Sequence, residues 1–487
     1  MRRPGRAAAR CLLVAGLAAG CAHVPPEAGF GDVERALAER GSYELSWHRT
    51  RGEPPEVARA LDALLAEPLT ADSAARIALL NDPSLQAAYE ELGIAQADAV
   101  RAALLPNPTL AASVRFPDVE PRRPNWDLGV SQSLLDVLLL PARRALAEDR
   151  FEGAKLEAAH RALAAAAAAK GAYYEVLGAA RVASARRQAA EAAAAALALA
   201  ERVHGAGNLS DLGLARERDR AATALVASTE ADAREAAARE ALSVRLGLWG
   251  QRTAWTLPDR FPEPPPAEPP LEHLESEAVA SRLDLAAARV AVAVRSRALG
   301  LAVDWRWFGS LEFGVGAERE TGGGWLLGPN AAVELPLFHQ HQPEIAAAEA
   351  RLRQSQAELA ALAVRVRGEV RAARDRMLRQ RDLAAHYRDR VLPLREEIVA
   401  LTLREYNFML ASPFDLLAAR RAELEAREGH AEALAGYWTA RADLERAVGR
   451  ELPAATPPQP APDQEAEEFF RDLPPAPAPG HPPHHGG

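Results

Sequence analysis

The stretch Leu85-Gln86-Ala87-Ala88 recurs about 200 residues later as Leu285-Ala286-Ala287-Ala288, each time near the start of a helical pattern. Further along, Asp211-Leu212-Gly213-Leu214-Ala215-Arg216 has a partial counterpart in Asp415-Leu416-Leu417-Ala418-Ala419-Arg420. Both halves also show the same order of elements: a helix, a pair of strands, a long helix, a turn and a second long helix. An internal repeat of this kind indicates that two similar units build one object with pseudo-symmetry.

The composition is typical of long helices rather than of several compact domains. The chain has 487 residues, of which 26% are charged and only 5% aromatic, and Ala, Leu, Arg and Glu are abundant. Such a composition with helical periodicity favours long helices or a coiled coil. The net charge of −9 is mild for this length and no basic block occurs, so nucleic acid is not an expected partner.

The first 20 residues have the pattern of a bacterial secretory signal. Four arginines precede a short apolar run that ends Leu17-Ala18-Ala19-Gly20-Cys21. The end of this run resembles a lipobox, which implies cleavage before Cys21 and lipidation of that cysteine. By resemblance to other lipoproteins, Ala22 in the next position suits the outer membrane. Plain cleavage that leaves a free Cys21 is the alternative.

The hydrophobic period changes along the chain and divides it into segments. The segments are a signal peptide (1–20), an N-terminal linker with one short helix near 57–65 (21–68), a first repeat (69–249), a Pro-rich linker (250–272), a second repeat (273–450) and a disordered Pro- and His-rich tail (451–487). Alternating patterns predict strands over 109–116, 126–134, 307–318 and 325–335. Helical patterns predict long helices over 141–204, 210–248, 343–407 and 413–448. No run of 18 apolar residues follows the signal, so no transmembrane helix is expected.

The long helices carry a heptad pattern that indicates side-by-side packing. Apolar residues recur every seven positions, with mostly small residues three positions later: Ile345, Leu352, Leu359 and Val366, then Ala348, Ser355 and Leu362. Small residues in such a seam allow close helix approach and a shallow supercoil. An ordinary helix-bundle core is the alternative interpretation.

The predicted strands raise the question of assembly. In a bilayer every backbone N–H and C=O must be paired, and strands achieve this only in a closed barrel. One chain offers four strands, too few for closure, whereas three chains would offer 12, within the range of outer-membrane barrels. Aromatic residues near the strand ends suit a membrane interface: Trp126, Trp305, Trp307, Phe308, Phe313 and Trp325. The alternative is a pair of soluble hairpins packed on the helices.

Several junctions, in the same order in both repeats, resemble the TolC-like outer membrane efflux protein family. The opening of the first repeat resembles the family's repeat start at Leu69-Thr70, Ala78-Leu79, Asp82-Pro83-Ser84-Leu85 and Ala88. The helix-to-strand junction is 104–110, and the strand-to-helix junctions are 134–144 and 335–346, the latter resembling members that export heavy metals. The resemblance covers about residues 69–450.

The resemblance implies a mainly α fold with a small β part. Three chains would form one 12-stranded outer-membrane β-barrel, continued by a long periplasmic α-helical barrel. The implied function is a passive exit duct that works with a periplasmic adaptor (membrane fusion) protein and an inner-membrane pump, many lipidated members serving pumps of the resistance-nodulation-division class. Such a protein is expected in the outer membrane, lipid-anchored, and extends into the periplasm. From the residues alone, a periplasmic coiled-coil lipoprotein scaffold or adaptor that never spans the membrane stays open.

The resemblance also implies a gate at the turns between the long helices. Asp415 matches the family's main aperture aspartate, Asp211 the aspartate of the first repeat, and Tyr406 the tyrosine that links to it. Three Asp415 carboxylates around a narrow pore would give a negative ring that holds cations, and their crowding would raise their pKa values. Alternatively, Asp211 and Asp415 are only helix N-terminal carboxylates favoured by the helix dipole.

The gate pattern is incomplete in this chain. Ala418 stands where the family has a second aperture aspartate, and Ala411 stands where it has a linking arginine. Gly205 fits the usual turn glycine, whereas Met409 takes that place in the second repeat. The two turns are therefore expected to differ in chemistry.

Little in the sequence predicts other chemistry. His339 and His341 lie on one face of an extended segment and are weak metal-ligand candidates, and the tail adds His481, His484 and His485. The alternative is that these histidines are polar residues at a junction and in a disordered tail. No nucleophile with a paired base and no carboxylate pair in a cleft is recognisable, so neither an enzyme nor a cofactor is expected.

Overall fold

The computed structural model describes residues 24–452, apart from 42, 50–52, 119, 121–122, 266–267, 269–270 and 320–322. Cys21, the signal and the tail after Leu452 therefore lie outside the described residues, whereas Glu451 and Leu452, the first two residues of the predicted disordered tail, pack on the folded body. The described chain is mainly helical and carries one antiparallel sheet of four strands, as the sequence predicts.

The segment predicted as an N-terminal linker forms two helices that pack on the first repeat. These are α1 (Phe30–Ala38) and α2 (Pro55–Leu65), the second of which confirms the predicted short helix. Leu37 and Leu61 are completely buried in the hydrophobic core. Since full burial of a leucine contributes about 1.5–3 kcal/mol, this segment is part of the folded body.

The first repeat contains two short helices, two strands and two long helices. They are α3 (Ala71–Asn81), α4 (Pro83–Ala102), β1 (Thr109–Arg115), β2 (Asn125–Ser133), α5 (Leu134–Gly205) and α6 (Asp211–Arg245). A short 3₁₀ turn at Gly250–Thr253 follows. The predicted stop at Pro106-Asn107-Pro108 separates α4 from β1, because proline disfavours a helical residue before it.

The second repeat follows the same order. Its elements are α7 (Leu274–Ser281), α8 (Leu283–Asp304), β3 (Leu311–Arg319), β4 (Trp325–Val333), α9 (Gln342–His386), a π-helical turn (Tyr387–Val391), α10 (Leu392–Asn407) and α11 (Pro413–Val448). The predicted helix over 343–407 is thus continuous except for a change of hydrogen-bond register at the π turn.

The repeat is visible in the backbone at the break between the paired short helices. Asp82 and Arg282 are each the C-cap of one helix and the N-cap of the next, and both are extended, with φ −63° and −66°. Leu85 and Leu285 follow at equivalent positions and are both buried. The match at 85–88 and 285–288 therefore marks equivalent places in the fold.

The start of the longest helix differs from the sequence-based expectation. The helical pattern of the sequence predicts that this helix begins at Pro141. Instead α5 begins at Leu134, directly after β2, and Pro141 lies inside it. The Ser133 hydroxyl accepts a hydrogen bond from the Asp136 amide (3.2 Å) and so caps the earlier start.

Small residues bring the long helices close together. The face of α5 that enters the core is rich in alanine, including Ala158, Ala159, Ala162, Ala166 and Ala169. At Gly178 an added Cβ would lie 2.6 Å from the Cβ of Ala435 on α11. Only glycine fits this helix contact without a shift of the backbone.

A buried ion-pair cluster joins the two repeats. The Lys170 ammonium of α5 lies 2.7 Å from a Glu451 carboxylate oxygen and 3.8 Å from one of Glu445, near the end of the second repeat. Burial lowers the pKa of Lys170, but the two glutamates outweigh it and raise that pKa overall. The charged lysine is therefore held where the ends of the two repeats meet.

The sheet has the order β1-β2-β3-β4 with every neighbouring pair antiparallel. Strands β1 and β4 are the two edges, and no described strand pairs with their outer sides. No helix in the described part of the chain is both long enough and apolar enough to cross a membrane.

Candidate functional site

The four-stranded sheet has one apolar face. Side chains alternate between faces along a strand, and directly opposed residues share a face. Both large and small apolar residues occupy this face: Leu110, Ala112, Val114, Trp126, Leu128, Val130, Phe313, Val315, Ala317, Trp325, Leu327, Pro329, Ala331 and Val333. Leu110 and Leu327 are 72% and 77% exposed, so the face is not covered by this chain.

The opposite face is mainly polar or small. Ser113, Asp127 and Ser131 lie on it in the first hairpin, and Glu312 and Asn330 in the second. Apolar-out and polar-in alternation, repeated over strands of about ten residues, is the pattern of a barrel that separates lipid from a watery interior.

Aromatic side chains lie at both ends of the apolar face. Trp126 and Trp325 both pair with Arg319 at the hairpin end, whereas Trp307 and Phe308 precede β3 at the helix end. Two belts of amphipathic aromatic rings at the ends of an apolar band are typical of both membrane–water interfaces.

The far ends of the long helices lie remote from the sheet. At about 1.5 Å per residue, the helix α5 alone extends roughly 100 Å from the strands to its final turn. The turns that follow α5 and α10 are built in the same way. Gly207 and Met409 are left-handed, with φ 80° and 60°, and their amides bond the carbonyls of His204 and Tyr406.

The two turns give a structural alignment that corrects the sequence match. The hydroxyls of Ser210 and Ser412 each cap the next helix by accepting from the amide three residues on. The structure therefore places Met409 opposite Gly207, not Gly205, and it places Asp415 opposite Gly213, not Asp211. The match between Asp211 and Asp415 is two residues out of structural register.

Asp415 belongs to a capping box. Its carboxylate accepts hydrogen bonds from the Ser412 hydroxyl (2.7 Å) and the Ser412 amide (2.9 Å), and the Ser412 hydroxyl caps the Asp415 amide. The side-chain and backbone bonds from Ser412 hold the pKa of Asp415 below its ordinary value. Within one chain Asp415 is therefore charged, and its helix-capping role coexists with exposure at the tip.

Within one chain, no hydrogen bond joins Asp211 and Tyr406 among the described residues. Asp211 is almost fully exposed, and one of its carboxylate oxygens lies 3.5 Å from Nε2 of His204, within the same turn. Tyr406 is 40% exposed.

The turn after α10 has an apolar tip that the sequence reasoning did not single out. Phe408, Met409 and Leu410 are 72%, 94% and 78% exposed, whereas the equivalent residues of the first turn are Ala206, Gly207 and Asn208. The sequence signal for this apolar tip is the run of three large apolar residues next to the end of a helix.

The histidines of the strand-to-helix junction are neighbours. The rings of His339 and His341 lie 5.4 Å apart, His339 is 3.3 Å from Glu344, and His341 Nδ1 is 3.1 Å from the Arg306 carbonyl. Among the described residues, no group of three or more His, Cys, Asp or Glu could hold a metal ion. The pair is thus explained by local contacts.

Residues 274–450 match the model of the outer membrane efflux protein family. A membrane protein from Pseudomonas aeruginosa has the same fold at 18% identity, with a TM-score of 0.63 over 84% of this chain and 99% of that one. The outer membrane protein VceC from Vibrio cholerae aligns at 16% identity and a TM-score of 0.63, over 82% and 97% of the two chains. The CmeC outer membrane channel from Campylobacter jejuni aligns at 15% identity and a TM-score of 0.61, over 89% and 94%. No curated protein sequence matches the chain.

Together the long helices and the amphipathic sheet define the fold of outer membrane channels. The family match falls on the second repeat, and the shared fold extends over both repeats. The match of residues 274–450 to the outer membrane efflux protein family and the shared fold confirm the fold class and the resemblance found in the sequence.

Proposed function

We propose that this protein is the outer-membrane exit duct of a tripartite efflux system, which passes substrates from an inner-membrane pump across the periplasm and the outer membrane. The observation that carries this function is the four-stranded sheet, apolar and exposed on one face and polar on the other, at one end of helices about 100 Å long. A water-soluble scaffold would have no partner for the apolar face, because large exposed apolar patches are rare on soluble monomers.

The edges of the sheet support a trimer. Strands β1 and β4 leave their outer backbone groups unpaired in one chain, and lipid offers them no hydrogen bonds. If β4 of each protomer pairs with β1 of the next, three protomers of four strands each close a 12-stranded barrel. The long helices then continue as one tube into the periplasm.

The apolar tip is the surface that we assign to the periplasmic adaptor. Phe408, Met409 and Leu410 are exposed at the end of the molecule farthest from the sheet, where a duct must meet the rest of the system. Contiguous exposed apolar residues commonly mark a protein–protein contact. We further propose that Cys21 carries a lipid anchor in the outer membrane, and that the pump is of the resistance-nodulation-division class.

For the gate, we propose that Asp415 forms a negative ring when three chains surround the pore. Asp211 and Tyr406, which lie at the same end of the helices, would lie at the rim of this ring. The closely spaced carboxylates would hold cations and so restrict the aperture.

Neighbouring residues on opposite faces of β2 give a matched test of the barrel. Val130→Arg places a charge on the apolar face, which costs about 2–4 kcal/mol near the middle of a bilayer. We expect it to abolish trimers extracted from outer membranes and conductance in planar bilayers. Ser131→Arg points to the polar face and should keep the trimer while it lowers conductance. Equal tolerance of both substitutions would contradict the barrel.

The gate is tested separately by block of the open channel with a trivalent cation such as La³⁺. Asp415→Ala should weaken this block, and Asp211→Ala in addition should weaken it further, because fewer carboxylates face the ion. Asp389→Ala, which removes an exposed carboxylate at the π turn, is the control and should leave block unchanged. Block that is identical in the Asp415/Asp211 double variant and the unmodified protein would remove the gate assignment but not the duct.

A further inference from the structure

A cavity of about 630 Å³ lies about two-thirds of the way along the long helices from the sheet to the tips. Its walls come from α5, from the junction of α9 and α10, and from α11. Its cover is the segment 258–265 between the two repeats, which we call the strap. The volume lies in the range of small-molecule sites.

Side chains from three helices hold the strap in place. Arg181 of α5 donates to the Pro258 carbonyl (2.5 Å), Arg381 of α9 to that of Pro265 (3.1 Å), and Trp438 of α11 to that of Pro262 (2.9 Å). Because the three donors come from three different helices, the packing of those helices fixes the position of the strap over the cavity.

The inner surface of the cavity is largely apolar. Phe261 supplies an aromatic ring from the strap, and Ala385, Leu392 and Leu434 supply aliphatic groups from the helices. This lining suits a flat or compact hydrophobic group.

The polar part of the lining has an excess of positive charge. Five arginines and three carboxylates line the cavity: Arg181, Arg260, Arg381, Arg388 and Arg427, with Asp259, Glu263 and Glu396. Outside the lining, Asp389 also pairs with Arg388, and Glu423 with Arg427. The Nε atom of Arg181 is buried and has no hydrogen-bond partner among the described residues. A buried donor left unpaired has lost its bonds to water, and a ligand oxygen would replace them.

One wall is formed at the π-helical turn. Arg388 lies in this turn, and Leu392 begins the helix after it. His430 faces it from α11, and burial, together with the charge of Arg388, lowers the pKa of His430. Single π turns inside long helices occur frequently at functional sites.

We propose that this cavity binds a small amphipathic organic anion, an aromatic sulfonate or carboxylate. Its ring would lie against Phe261 and the aliphatic wall, and its anionic oxygens would accept hydrogen bonds from the unpaired Nε of Arg181. Arg388, whose Nε and Nη2 donate to Asp389, would donate its Nη1 to the same group. Arginine suits this role because its planar guanidinium pairs with two oxygens of one anionic group.

The test uses the full-chain protein in a neutral detergent and isothermal titration calorimetry with 1-naphthalenesulfonate, corrected for binding to micelles alone. We expect one site per chain. The cation 1-naphthylmethylammonium, which has the same ring and the opposite charge, should bind far more weakly. Arg388→Gln and Arg181→Gln should each weaken sulfonate binding about tenfold, the size expected for a charge-assisted hydrogen bond. Arg365→Gln, on an exposed face of α9, should not.

A second pair of variants tests the shape of the site without a change of charge. Ala385→Leu fills the cavity and should abolish binding, whereas Ala360→Leu, on an exposed face of α9, should leave it unchanged. Thermal unfolding of each variant confirms that it is folded. Absence of sulfonate binding, equal binding of the cation, or binding that persists in both Arg388→Gln and Ala385→Leu would overturn the proposal. None of these results would bear on channel formation.

Discussion

The turn after α5 and the turn after α10 share a backbone and a serine cap but differ in the three exposed residues at their tips. Both close with the same pair of amide-to-carbonyl hydrogen bonds, and both are followed by a serine cap. The first exposes Ala206, Gly207 and Asn208, whereas the second exposes Phe408, Met409 and Leu410. The repeat therefore preserves the geometry of the turn, while the exposed residues of the two tips differ in polarity.

The same contrast appears at the breaks between the short helices. In the first repeat, the exposed Asp82 carboxylate caps the next helix by accepting from the Ser84 amide (2.8 Å). In the second repeat, buried Arg282 makes a two-bond ion pair with Asp284 (3.0 and 2.7 Å) and a further bond to Glu369 (2.7 Å). Equal backbone breaks are thus stabilised by a surface cap in one half and a buried ion network in the other.

The largest expected effect separates these two breaks. Asp284→Ala leaves Arg282 with less compensation in a buried site and should destabilise the protein by about 3 kcal/mol. Asp82→Ala removes only a helix cap and should cost about 1 kcal/mol. Thermal unfolding followed by circular dichroism measures both variants in the same detergent. Equal losses would mean that the buried network stabilises the second repeat no more than the cap does the first.

A smaller effect compares the two turns directly. Met409→Gly removes the side chain from a left-handed residue and should stabilise the turn by about 1 kcal/mol, and Gly207→Ala should destabilise its counterpart by a similar amount. Nothing lies within 4 Å of a Cβ added at Gly207, so backbone conformation alone sets that cost. Amide hydrogen exchange at the tips measures the local stability. If amides at the tip of Met409→Gly exchange faster than those of the unmodified protein, the contacts of the Met409 side chain outweigh the backbone strain at that residue.

The smallest expected effect is a pH dependence at the second break. Burial raises the pKa of Asp284, but the hydrogen bonds and charge of Arg282 lower it more. In the folded protein the pKa of Asp284 therefore lies below 3.8. A carboxyl group with a lowered folded pKa contributes stability above its unfolded pKa and loses it as the pH falls through the folded value. The stability difference between the unmodified protein and Asp284→Ala should therefore shrink below about pH 4. An unchanged difference between pH 6 and pH 3 would exclude this linkage.

Much of the fold follows from local sequence signals. Period-2 and period-3.6 patterns, the prolines at 106–108 and the glycines near 205–207 were enough to predict every strand and the long helices. The start of α5 could not be predicted, because Pro141 and Ser133 both fit a helix start and packing decides between them. The helix α1 lacks strong signals of its own, and its burial depends on contacts with residues distant in the sequence.

The candidate site was predictable only in part. The resemblance pointed to the turns and to Asp211, Asp415 and Tyr406, but sequence identity paired the two aspartates two positions out of structural register. The alternation on the strands could be read in advance, yet only the pairing register shows that all four strands share one apolar face. The strap cavity left no sequence signal, because its residues come from three helices and the segment between the repeats.

Closure of the open sheet into a membrane channel requires several copies of this chain. The mass of the detergent-extracted complex and, on the same preparation, its conductance in planar bilayers test this closure. We expect a trimer that conducts ions in discrete steps. A monomer that is water-soluble once Cys21 is replaced by alanine, and that gives no conductance, would contradict it.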